Sequence, residues 1–307
     1  MSDAPSNRPL VWIPREVHAD AVADLETWAD VRRGWGADAT TEAEIAPLAQ
    51  GVLLRTARLD AEQLRRMPRL RIVARHGVGT DTVDTVFARE HGIRITTTPE
   101  ANVLSVAEHA IALLMAVRRG VGAAAAGTAD RAALVGGELS GSTLGLIGYG
   151  RIARRVARIA RGGFDMRVLA FDPAVPDDDV RADGAEPRAL DDLLAEADAV
   201  SVHVPLVAGT GGLLGAAQFR RMRPHAVVVN TSRGGVVDEE ALAAALDAGE
   251  IGGAGLDVSE VEPMPADHPL RGRANVLVTP HIGGQTREAM RRVALEAAAS
   301  LRAELSR

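Results

Sequence analysis

The chain has 307 residues, 47% of them hydrophobic and 25% charged, the balance of a globular protein with room for two domains. A formal charge of −6 leaves no basic surplus to settle on nucleic acid or anionic lipid, so a small molecule is the expected partner, with no nucleic acid and no membrane. Cysteine is absent and all 35 basic residues are arginine, which excludes disulfides, thiolate chemistry and a catalytic lysine together.

The polar start, Met1–Pro9, lacks the apolar stretch of a secretory signal, and no apolar run approaches the roughly 20 residues needed to span a bilayer. The cytoplasm is the expected compartment. From Leu10, short β-branched or leucine-rich runs alternate with helical patterns: Leu10–Ile13, Val17–Trp28, Val52–Leu54, Asp60–Met67 and Arg71–Ala74. Such alternation predicts βαβ units on a parallel sheet. Behind Pro99, the residues Val103, Val106, Ala107, Ala110, Ile111, Leu114 and Met115 recur at helical spacing and predict a long helix that bridges into a second domain. Gly120–Gly127 is low in complexity and reads as a helix end or loop.

From Ser142 the alternation restarts, with strands expected at Thr143–Gly148, Arg167–Asp172, Ala199–Val204, Ala226–Thr231, Ala254–Val258 and Val276–Thr279. Helices are expected at Arg151–Arg161, Leu190–Glu196 and Glu239–Ala248, and the alanine-rich stretch Gln285–Leu305 is expected to pack back against the N-terminal domain. The fold class is therefore α/β, with two doubly wound, Rossmann-like parallel-sheet domains.

The sharpest local signal is Gly148-Tyr149-Gly150-Arg151-Ile152-Ala153, which follows a strand and opens a helix. Glycine there permits a tight turn and lets backbone N–H groups at a helix N-terminus approach a pyrophosphate, while Ala153 allows close helix–strand packing. Arg151 adds a charge for phosphate. A structural turn needs the same flexibility, so context has to decide. Asp172 ends the next strand 24 residues after Gly148, near the roughly 20 expected for the acid that accepts from the adenosine ribose hydroxyls. No arginine follows it for a 2′-phosphate, which favours NAD over NADP. A solvated turn residue before Pro173 is its plainer alternative.

Three polar residues fall where buried strands end: Arg233, Glu262 and His281. Hydride transfer at a 2-hydroxy acid needs a cation for the carboxylate or carbonyl oxygen, a group that takes the hydroxyl proton, and a partner that orients that group. Arg, His and Glu supply these roles. Singly, each has a plainer reading: Arg233 as the cap of a surface turn, Glu262 as an exposed acid beside Pro263, and His281 as a partner for backbone groups after Pro280. No histidine pair shows metal-ligand spacing, so no metal is expected.

Several segments together carry a family resemblance. They are Arg75-His76-Gly77-Val78-Gly79-Thr80-Asp81, Ser105-Val106-Ala107-Glu108-His109, Leu146–Ile152, Val229–Gly235, Leu256-Asp257-Val258 and Thr279–Gly284. In these the chain resembles the D-isomer-specific 2-hydroxyacid dehydrogenases, whose members include phosphoglycerate and D-lactate dehydrogenases and glyoxylate or hydroxypyruvate reductases. The resemblance implies that His281 is the acid/base, Glu262 its carboxylate partner and Arg233 the substrate-polarising cation. It implies cofactor contacts at Gly148, Gly150, Arg151, Ile152, Asp172 and Pro205, with Asp257 near the nicotinamide amide. Substrate contacts are implied at His76 and at a backbone nest of Gly77, Val78 and Gly79.

The architecture implied is a substrate domain of residues 1–98 plus 284–307 and an NAD-binding domain of residues 99–283, with a cleft between them that closes over substrate, in a homodimer. Departures are a short segment before Leu139 that lacks a customary tryptophan, and His76 at a position where phosphite-oxidising members place a lysine. A chain ending at Arg307 predicts no regulatory domain of the kind that long phosphoglycerate dehydrogenases carry. The alternative from another class is an NAD(H)-sensing, co-repressor-like protein on the same scaffold. Together, Arg233, Glu262 and His281 favour the enzyme.

Overall fold

A computed structural model describes residues 8–132 and 134–307; Met1–Asn7, most of the polar start, lie outside the described residues. The first part of the chain runs β1 (Leu10–Ile13), α1 (Ala19–Glu26), β2 (Asp30–Arg33), α2 (Glu42–Ile45), β3 (Gly51–Leu54), α3 (Ala61–Arg65), β4 (Ile72–Arg75), α4 (Thr85–Glu90) and β5 (Arg94–Thr96). It continues with α5 (Val103–Arg118), α6 (Val121–Ala125), β6 (Thr143–Ile147), α7 (Arg151–Phe164), β7 (Arg167–Phe171), α8 (Asp177–Ala182), β8 (Glu186–Pro187), α9 (Leu190–Glu196) and β9 (Ala199–Val202). Then follow α10 (Ala216–Phe219), β10 (Val227–Asn230), α11 (Glu239–Asp247), β11 (Gly253–Leu256), β12 (Val276–Val278) and α12 (Arg287–Leu305). The chain divides into two compact units. One is formed by the residues up to Asn102 together with Gln285–Arg307, the other by Val103–Gly284.

The first unit is a parallel sheet in the order β2-β1-β3-β4-β5. Because side chains alternate across a strand, Val11 and Ile13 of β1 face one core while Trp12 faces the other. On the first side, Ala21, Val22 and Leu25 of α1 and Ala294, Ala297, Ala298 and Leu301 of α12 bury the sheet. The final helix thus returns to the unit that opened the chain. On the other side Ile45, Leu64 and Phe87 come from the short helices α2, α3 and α4. The starts of α3 and α4 are capped by Asp60 and Asp84, which accept from the Gln63 and Phe87 N–H groups, while at α2 the Glu44 carboxylate accepts from the N–H and hydroxyl of Thr41; these side chains supply acceptors that a helix of one turn cannot provide internally.

The second unit is a parallel sheet in the order β12-β11-β10-β9-β6-β7-β8. The order reverses between β6 and β9, the switch point at which open α/β sheets leave a crevice beyond the strand ends. One face is covered by Ala107, Ala110 and Leu114 of α5 with Ala153, Val156 and Ala160 of α7, the other by Leu193 and Leu194 of α9 with Leu242 and Leu246 of α11. The low-complexity stretch expected as a helix end or loop contains the short helix α6. Among the described residues no helix is long and apolar enough to cross a membrane.

Candidate active site

The glycine-rich turn leaves β6 at the switch point. Gly148 has φ +86°, and a Cβ there would stand 2.8 Å from Val204 Cγ1 and 2.9 Å from the His203 carbonyl, so this position is glycine for reasons internal to the fold. Gly150 differs. It starts α7 with extended backbone, no side chain caps the helix, and a Cβ there would meet nothing within 4 Å. The open space and uncapped N–H groups at the start of a 14-residue helix fit a pyrophosphate by backbone contact and dipole. Arg151 is exposed and Ile152 half-buried at the same helix start, while Ala153 is fully buried, as close packing of α7 on the sheet requires.

Asp172 follows β7 beside this turn. Its Oδ2 accepts from the Tyr149 N–H at 2.8 Å and its Oδ1 from the Ala174 N–H at 2.9 Å, which fixes the carboxylate and leaves each oxygen a further lone pair. Pro205, just past β9, is exposed, and its carbonyl accepts from the Thr210 hydroxyl at 2.5 Å.

Beyond the ends of β10, β11 and β12 three loops converge. His281 Nδ1 lies 2.8 Å from Glu262 Oε2, and Glu262 Oε1 accepts from the Ser259 N–H at 3.4 Å. The hydrogen bond to Glu262 raises the His281 pKa; burial opposes it, the charges of Glu262 and Asp257 add to it, and the nearby positive charge of Arg233 works against it. Arg233 is half-buried, and its Nη1 donates to the Ser232 carbonyl at 2.7 Å. Asn230 shapes that loop, accepting from the Ser232 N–H at 3.0 Å and donating to the Arg233 carbonyl at 2.9 Å. The loop packs so closely that a Cβ on Gly234 would lie 2.0 Å from the Ser259 carbonyl oxygen, which ties the arginine loop to the one bearing Glu262. A cavity of about 400 Å³ is lined by Glu262, Met264, Arg271, Thr279 and His281 together with Asp257.

Asp257 is 2% exposed. Burial works against its charge, but hydrogen bonds from His109, Thr279 and the Ile282 and Gly283 N–H groups outweigh it and hold the carboxyl below its usual range. His281 itself has φ +52°, a left-handed conformation uncommon for a residue with a side chain, so the loop around it has to be held from outside. No group of three or more His, Asp or Glu side chains among the described residues is arranged to hold a metal ion.

In the first unit, the segment after β4 departs from the simple nest. Gly77 has φ +135°, but its N–H donates to Thr98 Oγ1 at 3.1 Å. Among the described residues, the N–H groups of Val78 and Gly79 donate to no protein acceptor, so two donors of the three are not used by the protein's own acceptors. Arg75 braces the turn from beneath, donating from Nε to the Gly79 carbonyl at 2.8 Å. His76 is no cation: burial, helped by the charge of Arg55, pushes its pKa down to about 4, and its Nε2 is enclosed without a hydrogen-bond partner. Thr98, Asn230 and His109 each shape a functional loop without a role assigned from the sequence; Asn230 and His109 have a local sign, their places in Val229–Gly235 and Ser105–His109, and Thr98 has none.

Residues 103–283 match the family model described as D-isomer specific 2-hydroxyacid dehydrogenase, NAD binding domain. The chain is 41% identical over 304 residues to D-3-phosphoglycerate dehydrogenase of Mycobacterium tuberculosis, an alignment covering 97% of this chain and 57% of that protein, so the chain spans little more than half of that relative. It is 42% identical over 285 residues to (S)-sulfolactate dehydrogenase of Chromohalobacter salexigens, covering 89% of this chain and 91% of that one. Among solved structures, a D-lactate dehydrogenase of Aquifex aeolicus complexed with NAD and lactic acid superposes with a TM-score of 0.83 at 28% identity, covering 97% of this chain and 95% of the other. The chain therefore belongs to the D-isomer specific 2-hydroxyacid dehydrogenase family, with its NAD binding domain in residues 103–283.

Proposed function

We propose that the protein is an NAD-dependent dehydrogenase that interconverts a small 2-hydroxy acid and its 2-oxo acid. The observation that carries the reading is the 2.8 Å contact between His281 Nδ1 and Glu262 Oε2, in the unit that also presents the Gly148–Ile152 turn. The paired carboxylate fixes the ring so that Nε2 faces outward as proton donor in reduction and acceptor in oxidation. Arg233 polarises the carbonyl oxygen or holds the carboxylate. The Val78 and Gly79 N–H groups bind the substrate carboxylate, and His76, being neutral, adds shape without charge. Bound NADH supplies the hydride.

Reduction is tested by following NADH with glyoxylate, hydroxypyruvate, pyruvate, oxaloacetate, 2-oxoglutarate, 3-sulfopyruvate and 3-phosphohydroxypyruvate. Turnover with at least one is expected. NADH binding without turnover of any of them would favour the sensor reading. We further propose a cytoplasmic homodimer joined through the NAD binding domain, where Leu104, Met115, Val121 and Val135 are exposed apolar side chains; a monomer by light scattering would refute the dimer.

Two expectations concern the cofactor. NADH should be preferred over NADPH by about tenfold to a hundredfold in kcat/KM, because a 2′-phosphate would meet the Asp172 carboxylate. Equal use of both would remove Asp172 from the ribose site. The two glycines should also separate. Gly148→Ala is expected to destabilise the fold by about 1–3 kcal/mol, through strain at positive φ and overpacking against the end of β9. Gly150→Ala should melt like the native protein yet bind NADH about tenfold more weakly. Native NADH affinity in Gly150→Ala would show that the pyrophosphate does not lie against this residue.

A further inference from the structure

Beneath the His281–Glu262 pair lies a second histidine–carboxylate contact to which no role has been given. Asp257, just after β11, gathers the backbone of the loop that bears His281: its carbonyl accepts from the His281 N–H at 2.8 Å, its Oδ1 from the Ile282 N–H at 2.8 Å, and its Oδ2 from the Gly283 N–H at 2.7 Å. The orientation of the loop therefore depends on the orientation of one buried carboxylate. Two side chains in turn hold that carboxylate. Thr279 Oγ1 donates to Oδ1 at 2.6 Å, and His109 Nε2, reaching down from α5, stands 3.2 Å from Oδ1 and 3.0 Å from Thr279 Oγ1.

The donor inventory settles which atom carries a proton. An ionised carboxylate only accepts, so the single hydroxyl proton of Thr279 goes to Asp257. What remains on Thr279 Oγ1 toward His109 is a lone pair, and the ring nitrogen facing it has to donate. His109 therefore bears its proton on Nε2 and shares it between the hydroxyl and the carboxylate. This supplies a donor to an oxygen of a side chain that is 2% exposed, where a lost hydrogen bond is not replaced by bulk water.

We propose that His109 is a positioning residue for the reaction: through the Nε2–H shared by Thr279 and Asp257 it fixes the carboxylate from which the His281 loop hangs. It touches no reacting atom. Its effect is on placement of the His281 ring, where a misplacement of about 1 Å is enough for losses of up to roughly a hundredfold. The inference rests on the reading of His281 as the acid/base.

The test compares His109→Leu with His109→Gln in the full chain, because a glutamine amide can present an N–H near the position of Nε2. His109→Leu is expected to lower kcat about tenfold or more with the best 2-oxo acid, while KM and NADH affinity stay within about threefold; His109→Gln should recover most of the loss. Two readouts do not depend on turnover. Nitrogen-15 NMR of the native protein should find His109 protonated on Nε2, and amide exchange at Ile282 and Gly283 should accelerate in His109→Leu. Native kcat in His109→Leu, no recovery in His109→Gln, or a neutral ring protonated on Nδ1 would each overturn the proposal. If His109→Leu does not fold, Thr279→Val against Thr279→Ser asks the same question, with loss and recovery of kcat expected in that order. A native protein without activity on any acid of the panel would fail the functional reading instead, and the NMR and exchange measurements would still judge the clamp.

Discussion

Replacing His281 by alanine is expected to reduce 2-oxo acid turnover by roughly a hundredfold or more, with NADH still bound, because no other group takes over a proton transfer that a positioned imidazole makes. The informative companion is Glu262→Gln, which keeps the shape and removes the charge. Reduction needs the ring protonated, so activity is present below the pKa of His281 and lost as pH rises through it. Glu262 is the main cause that raises this pKa above its ordinary value. Without the carboxylate charge the pKa falls, and the falling limb of the reduction profile moves to lower pH. For oxidation the ring must start neutral, so the rising limb moves in the same direction. A profile unchanged in Glu262→Gln, or substantial turnover in His281→Ala, would remove the pair from the chemistry.

Arg233→Lys is expected to lower kcat/KM by about a hundredfold, although charge is conserved. The guanidinium donates from Nη1 to the Ser232 carbonyl, inside a loop that Asn230 holds from both sides. That contact orients a planar fork whose other N–H groups can bind a carboxylate or carbonyl oxygen. An ammonium on a flexible stem cannot hold the loop and present two parallel donors at once. NADH affinity should change by less than about threefold. Near-native kcat/KM in Arg233→Lys would make the residue a turn element.

What the sequence made legible follows from how much each element buries. β3, β4, β9, β10 and β11 are buried along their whole lengths, and continuous apolar runs announced them to within about two residues at either end. The strands passed over lie at sheet edges: β2 is Asp-Val-Arg-Arg, β5 is three partly exposed residues, and β8 is Glu-Pro. An edge strand pairs on one side and needs little apolar surface, so periodicity gives it no signal. The helices passed over, α2, α4, α8 and α10, have four to six residues, too few for a 3.6-residue period to emerge. At the site, the two glycines of the turn look alike in sequence, although one is required by the packing of β9 and the other by nothing in the protein. The use of the Gly77 N–H by Thr98, 21 residues away, is tertiary and leaves no local trace.

The return of α12 to the first sheet has a consequence for biosynthesis. Ala294, Ala297, Ala298 and Leu301 cover apolar side chains of β1, β3 and β4 that left the ribosome more than 200 residues earlier. The whole Val103–Gly284 unit is translated in the interval, and among the described residues its core clusters are built from that span alone. The middle of the chain can therefore complete its fold first, while the unit begun earliest waits with one face of its sheet covered by α1 alone until α12 arrives.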